Sequence, residues 1–322
     1  MMKPNAVITD WSTMSMNDDI SYSKIQTLCD PLTVYDLTPY NEDIIVDRVH
    51  DAEILLCNKT PITRGVMKRC KNLKYIGLFA TGYNNIDIPA SREFNITVCN
   101  AGEYSTNAVA QHVFAMILNH YSKVETYSSD VQNGKWISSK TFSYFPYSTY
   151  ELANKTISIV GYGSIGKKVS EIASAFGMRV LIHTRTIPKD CPYEIVSKED
   201  AFKRADILTL HCPLTEQTRE LVCKDTLSLM KDTAVLINTS RGGTVNEFDL
   251  SNALKDGTIA KAYLDVLNYE PMSKDTPLID APNVIITPHV AWAALETRNR
   301  LMGIVINNLK GFLDGNVINK VN

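Results

Sequence analysis

The chain has 322 residues, which at about 150 residues per domain predicts roughly two domains and excludes one small module. Hydrophobic residues make up 44% and charged residues 21%, enough for ordinary cores and too apolar for intrinsic disorder. Thirty-three basic against 35 acidic residues leave a formal charge of −2; general phosphate-backbone binders carry a clear positive excess, so no nucleic-acid partner is expected.

The first ten residues reach Asp10 before any apolar run of signal-peptide length. No later stretch approaches the ~18 uninterrupted apolar residues of a membrane span. The expectation is a cytoplasmic protein with no membrane contact. The cysteines at 29, 57, 70, 99, 191, 212 and 223 are odd in number and form no CxxC pair. That suits reduced packing thiols better than a disulfide frame or a zinc site.

From the N-terminus, short runs rich in β-branched residues at 6–9, 33–35, 54–57, 75–78 and 97–99 alternate with longer mixed segments. This is the rhythm of βα units in a parallel sheet. Thr106 to His120 carries Val109, Val113, Met116 and Ile117 at helical spacing and predicts a helix leading from the first sheet to the second. The aromatic, aperiodic stretch Trp136 to Tyr150 reads either as a surface loop wrapped on the core or as a subunit contact, because Tyr, Phe and Trp are favoured interface anchors. A second series of runs at 157–160, 179–182, 207–210, 234–237, 262–265 and 284–286 predicts a second doubly wound sheet.

The strand-like segment 156–160 runs into Gly161-Tyr162-Gly163-Ser164-Ile165-Gly166 and then into a helix-like segment, 167–176. Strand, GxGxxG and helix in that order suit a dinucleotide. Gly161 allows the tight turn, Gly163 lets the backbone approach a pyrophosphate, and Gly166 allows close helix packing, with N–H donors at the helix start. Ser164 and Ile165, inside the motif, count with the glycines as cofactor-binding residues. The bland alternative is a plain strand-to-helix turn. An acid about 20 residues further on normally accepts from the ribose hydroxyls of NAD. Here the second strand leads instead into His183-Thr184-Arg185-Thr186. Thr184 removes the repulsion of a 2′-phosphate and Arg185 can pair with it, with Lys189 adding to the positive field, so NADP is expected over NAD. If Arg185 faces solvent and Thr184 only caps the strand, the protein would take either cofactor or NAD.

Arg241, Glu270 and His289 each follow a strand of the second series, where ligands of open α/β sheets bind. Singly they read as an Arg in a turn, a Glu before a proline and a His capping a helix; their order downstream of the glycine motif groups them. The histidines at 50, 112, 120, 183 and 211 lack metal-ligand spacing, and no HExxH or Cys/His cluster exists, so no metal is expected.

With Gly161 to Gly166, His211-Cys212-Pro213-Leu214-Thr215, Asn238-Thr239-Ser240-Arg241-Gly242-Gly243, Asp265-Val266-x-x-x-Glu270-Pro271 and Pro288-His289, the sequence resembles the D-isomer-specific 2-hydroxyacid dehydrogenase family over nearly its whole length. The resemblance implies an α/β fold of two doubly wound parallel-sheet domains. In it a Rossmann cofactor domain, residues 104–294, is inserted into a flavodoxin-like substrate domain, residues 1–103 and 295–322. It implies Arg241, Glu270 and His289 as catalytic residues, and a homodimer. It also implies that Asp265 faces the nicotinamide carboxamide, although a turn cap would explain that residue too. Cys212, Pro213 and Thr239 would line the cofactor. The segment Leu78 to Asp87 resembles the family's carboxylate-binding turn, with N–H groups near Thr81 and Gly82, while a structural glycine turn accounts for Gly82 equally well. Lys59 could line the same substrate site or be a solvated lysine. Ending at Asn322, the chain is expected to lack the regulatory domain that some phosphoglycerate dehydrogenases of the family append.

The chemistry of reducing a 2-oxo acid assigns the roles. An imidazolium donates a proton to the developing alkoxide near neutral pH, which suits His289. A neighbouring carboxylate, Glu270, favours the charged ring and orients it. A guanidinium, Arg241, binds the substrate carboxylate through a planar fork and polarises the 2-oxo group. Ala80 to Asn84, Tyr144-Phe145-Pro146 and His289 to Ala293 look most like the glycerate dehydrogenase or hydroxypyruvate reductase branch. The expected substrate is therefore a small polar 2-oxo acid such as hydroxypyruvate or glyoxylate. No extra basic cluster for a substrate phosphate stands out, which weighs against 3-phosphoglycerate. The rival class is a non-enzymatic nucleotide sensor like the corepressors that resemble this family.

Overall fold

Two parallel sheets gather the buried β-branched runs in a computed structural model that describes residues 3–322. They belong to two units, one made of Met1–Ser105 with Ala293–Asn322 and the other of Thr106–Trp292.

In the first unit the strands are β1 (Ala6–Ile8), β2 (Leu32–Val34), β3 (Ile54–Cys57), β4 (Tyr75–Leu78) and β5 (Thr97–Cys99), in the order β2-β1-β3-β4-β5. That is the flavodoxin-like order. β3 and β4 are buried at every residue, as strands covered on both faces must be, which is why they read as unbroken apolar runs. Leu55, Ile76 and Val98 pack with Val46, Val66 and Ala90 from helices Glu42–Val49, Arg64–Arg69 and Ile88–Glu93. The returning helix, Leu295–Leu313, supplies Phe312, whose ring lies 4.7 Å from that of the buried Tyr75 on β4. Arg298 on this helix grips Asp19 with two N–H···O bonds of 2.8 and 2.6 Å. That guanidinium holds the Asp19 carboxyl down at about 2. The chain end closes the unit again, since the Asn322 side chain donates to the Ile96 carbonyl and accepts from the Val98 N–H.

The second unit contains β6 (Thr156–Val160), β7 (Arg179–His183), β8 (Glu194–Ile195), β9 (Ile207–Leu210), β10 (Val235–Asn238), β11 (Lys261–Leu264) and β12 (Val284–Ile286). Their order is β12-β11-β10-β9-β6-β7-β8, all parallel. The chain runs outward from β6 to β8 and then returns to the other side of β6 at β9, so the switch point of this sheet falls between β6 and β9. Helices Thr106–Ser122 and Ser164–Ala175 cover one face through Val113, Ile117, Val169 and Ala173. Phe202, Leu227 and Leu250 cover the other.

Three features differ from the reading of the sequence. The helix after the glycine motif starts at Ser164, not Lys167, because Gly163 with extended backbone is its N-cap and helical geometry begins inside the motif. β8 is a two-residue edge strand, too short to show alternation. Val124–Gln132 is helical although its mixed polar sequence shows no continuous apolar stripe. All seven cysteines are free thiols. No helix among the described residues is long and apolar enough to cross a membrane.

Candidate active site

The glycine motif sits where β6, β7 and β9 end. Gly161 has φ of +97°, a conformation that glycine adopts without steric cost. A Cβ on it would come within 2.7 Å of the His211 carbonyl and the Cys212 nitrogen, in the loop after β9. Its N–H donates to the His183 carbonyl at the end of β7, and the His211 N–H donates to the Val160 carbonyl. On Gly166 a Cβ would lie 2.1 Å from the Gly161 carbonyl oxygen, so only glycine lets the helix begin this close to its strand. Gly163 differs, for nothing lies within 4 Å of its Cβ position. No side chain caps the 12-residue helix that follows, so its first N–H groups and the positive end of its dipole are open to an anion. Thr239, just past β10, has a buried hydroxyl with no partner among the described residues, a polar atom that a bound ligand would satisfy. This cradle fits the pyrophosphate and sugars of a dinucleotide.

Around it, Cys212 is buried, which raises its thiol pKa. Burial pushes His211 down to about 3, and its ring hydrogen-bonds Thr209 at 2.9 Å, so it is a neutral packing residue. Beyond β7, Thr184 is half-buried and Arg185 is exposed.

The loops after β10, β11 and β12 carry Arg241, Glu270 and His289. Asn238, buried at the end of β10, accepts from the Ser240 N–H and hydroxyl and donates to the Arg241 carbonyl at 3.0 Å. Thr244 donates to the same carbonyl at 2.7 Å. The Arg241 backbone is thus clamped while its guanidinium stays exposed, donating to the Ser240 carbonyl. At Gly242 a Cβ would lie 2.0 Å from the Leu267 carbonyl carbon and oxygen, so the loop after β10 meets the loop after β11 backbone to backbone. On that second loop, one oxygen of Glu270 accepts from the Leu267 N–H at 2.9 Å. Its other oxygen lies 2.6 Å from Nδ1 of His289.

His289 has φ of +56°, uncommon for a residue with a side chain and maintained only where the surroundings over-determine it. Asp265, 2% exposed, supplies that determination. Its carbonyl accepts from the His289 N–H, Oδ1 accepts from the Val290 N–H and the Thr287 hydroxyl, and Oδ2 accepts from the Ala291 N–H. Both carboxylate oxygens therefore serve the 287–291 turn. Sequence reasoning missed Thr287 and His112, whose Nε2 lies 3.1 Å from the Thr287 hydroxyl; the need of a buried Asp265 for donors was the one signal pointing to them.

In the first unit a second buried carboxylate, Asp10 just past β1, accepts from the N–H groups of Asn58, Lys59 and Thr60 and from the Thr60 hydroxyl. It sets the backbone of the Lys59 turn while the lysine side chain is exposed. The Thr81 hydroxyl donates to the Gly102 carbonyl, and Asn100 donates to the Thr81 carbonyl at 2.8 Å, tying the Thr81–Gly82 turn to the loop after β5.

Residues 114–291, more than half of the chain, match the sequence profile of the D-isomer specific 2-hydroxyacid dehydrogenase NAD binding domain. The chain belongs to this family. Among this dehydrogenase's curated relatives is a hydroxypyruvate reductase from Blautia hydrogenotrophica, 38% identical over 310 residues that span 94% of this chain and 95% of the relative. A glycerate dehydrogenase from Methylorubrum extorquens is 39% identical over 279 residues, 86% of this chain and 88% of that one. The crystal structure of an NADPH-dependent glyoxylate/hydroxypyruvate reductase from Sinorhizobium meliloti superposes with a TM-score of 0.85 at 26% identity, covering 99% of this chain and 97% of that chain. The dehydrogenase is thus an oxidoreductase of two parallel-sheet α/β units that uses a nicotinamide cofactor.

The backbone contact at Gly242 yields an expected outcome. In Gly242→Ala the added methyl has backbone, not a flexible side chain, to displace, at a cost on the order of 1–3 kcal/mol. Calorimetry should show a lowered Tm, accompanied by a loss of turnover as the loop of Arg241 shifts from that of Glu270. A variant with native Tm and native turnover would mean that the two loops can part freely.

Proposed function

We propose that the enzyme reduces a small 2-oxo acid, hydroxypyruvate or glyoxylate, to the D-2-hydroxy acid, with His289 as acid/base, Glu270 orienting it and Arg241 binding substrate. The observation that carries this reading is the 2.6 Å pairing of His289 Nδ1 with a Glu270 carboxylate whose other oxygen is anchored on the Leu267 N–H. The names of the relatives and of the structural neighbour support the substrate class.

In this mechanism the N–H groups of Gly163, Ser164 and Ile165 hold the pyrophosphate, with Gly161 and Gly166 shaping the turn, and Cys212, Pro213, Thr239 and Asp265 line the rest of the cofactor. When bound, the nicotinamide supplies a hydride to the carbonyl carbon. With Nδ1 committed to Glu270, His289 uses Nε2 to deliver its proton to the developing alkoxide. The Glu270 carboxylate stabilises the imidazolium before transfer and fixes the ring plane. Arg241 offers the substrate carboxylate two parallel N–H bonds and draws charge from the 2-oxo group. Thr81, Gly82 and Lys59 are also assigned to substrate binding. Seven free thiols suit a reducing compartment, and the enzyme is assigned to the cytoplasm.

NADPH is the preferred cofactor in this proposal. Arg185 lies two residues past His183, whose carbonyl holds the Gly161 N–H, and it is exposed. It is therefore available to a 2′-phosphate, and the chain offers no acid there to repel one.

The enzyme is further assigned a homodimeric state. Buried Asp130 accepts from Lys135 at 2.7 Å, Tyr147 at 2.9 Å and Tyr144 at 3.1 Å, and Trp136 donates to the Phe142 carbonyl. This polar clamp orders a segment on which Ile137, Phe142 and Phe145 are 89%, 92% and 78% exposed. Several large apolar side chains exposed on one ordered segment suit an interaction surface, and a second copy of the chain is the occupant proposed.

Replacing His289 with Ala should cut turnover of hydroxypyruvate by roughly 100- to 10,000-fold while leaving cofactor affinity nearly native; a variant with half its activity would sink the acid/base assignment. No turnover of any 2-oxo acid with either cofactor would favour the nucleotide-sensor class. Arg185→Ala should lower kcat/KM for NADPH and spare NADH. A tenfold native preference for NADH would refute the cofactor proposal. Sedimentation of the wild type should give a dimer and of Phe142→Asp a monomer; a monomeric wild type at micromolar concentration would disprove the interface.

A further inference from the structure

We propose that Thr287 and His112 are positioning residues for proton transfer, acting on His289 through Asp265; this rests on the role proposed above for His289. The order of protons along the chain can be worked out from the distances. The Thr287 hydroxyl has one proton, and its 2.6 Å separation from Asp265 Oδ1 is that of a charge-assisted O–H···O bond. That proton therefore goes to the carboxylate. The contact between Thr287 and His112 Nε2 at 3.1 Å then has only one possible donor, the imidazole N–H. His112 is held with its proton on Nε2, and a single directional relay runs from His112 through Thr287 to Asp265.

The relay matters because of where Asp265 is spent. Its contacts with Thr287, Val290 and Ala291 bracket His289 on both sides, and its carbonyl takes the His289 N–H. A carboxylate with only two backbone donors can rotate; the Thr287 hydroxyl is the third partner that fixes its plane. His112 reaches this hydroxyl from helix Thr106–Ser122, a rigid element that packs on the sheet through Val113 and Ile117. Its Nε2 lies 3.7 Å from Oδ1 of Asp265 itself, within ion-pair distance but beyond hydrogen-bond range, so its hydrogen-bonded hold on the carboxylate passes through the threonine. Loss of the hydroxyl lets the turn relax from the left-handed conformation at His289, and the 2.6 Å bond to Glu270 opens with it. Displacements of this order at a reacting group are costly, and a 1 Å misplacement can cost about 100-fold.

Thr287→Val removes the hydroxyl at nearly constant volume, and Thr287→Ser restores it. In the enzyme the valine variant should lose on the order of 10- to 100-fold in kcat for hydroxypyruvate. KM for substrate and the fluorescence-measured affinity for cofactor should stay within about twofold of native, and the serine variant should recover most of kcat. His112→Phe keeps a ring and deletes the donor; it should fall between the two and carries the test if the valine variant does not fold. Native kcat in Thr287→Val, a loss shared equally by Thr287→Ser, or a fall in kcat matched by an equal fall in cofactor affinity would each overturn the proposal. His289→Ala run in parallel separates the two readings. If it is inactive while Thr287→Val is native, only the relay fails; if it is active, the acid/base assignment fails and the relay with it.

Discussion

The carboxylate of Asp265 is the interaction on which the geometry of the second unit's site depends. A charge this buried is tolerable only when its oxygens are fully engaged, and here the donors that engage it are the turn bearing His289. The hydrogen bonds that offset the cost of burying the charge are thus the same ones that hold the strained, left-handed histidine. Asp10 does the equivalent job in the first unit, where three consecutive N–H groups of the Lys59 turn converge on one buried carboxylate. In both sheets an acid just past a strand end organises the loop after another strand.

Close backbone approach is the second organising constraint. Gly161 against the His211–Cys212 loop, Gly166 against the Gly161 carbonyl, and Gly242 against Leu267 each leave no room for a methyl group. These contacts join the loops after β6 and β9 at the switch point and the loops after β10 and β11 beside it, so that residues far apart in the chain share one edge. Gly163 is the exception that explains the motif, since its missing side chain leaves space on the outer side of the turn instead of filling a contact.

Much of this was legible in the sequence because it depends on local spacing. The apolar runs that became β3, β4, β6 and β9 sit within a residue of where their composition put them, since strands buried on both faces need no alternation to be recognised. The glycine motif and the positions of Arg241, Glu270 and His289 after three successive strands were readable for the same reason. What could not be read were partnerships across distance. His112 and Thr287 are 175 residues apart, and Asp10 and Thr60 are 50 apart; nothing in either local sequence names the other. The start of the nucleotide helix at Ser164 was hidden because Gly163 and Ser164 are equally at home in a loop or at a helix cap.

The way the two chain ends are combined has a consequence for how the protein is made. The second unit is continuous in sequence, from Thr106 to Trp292, and is wholly synthesised before the first unit has all its parts. Until helix Leu295–Leu313 emerges, β4 lacks Phe312 against Tyr75, and Asp19 lacks the guanidinium that grips it. The first sheet is therefore covered by its returning helix only after the second unit has been made, and the nascent chain carries the uncovered Tyr75 face of β4 while its cofactor unit is being completed.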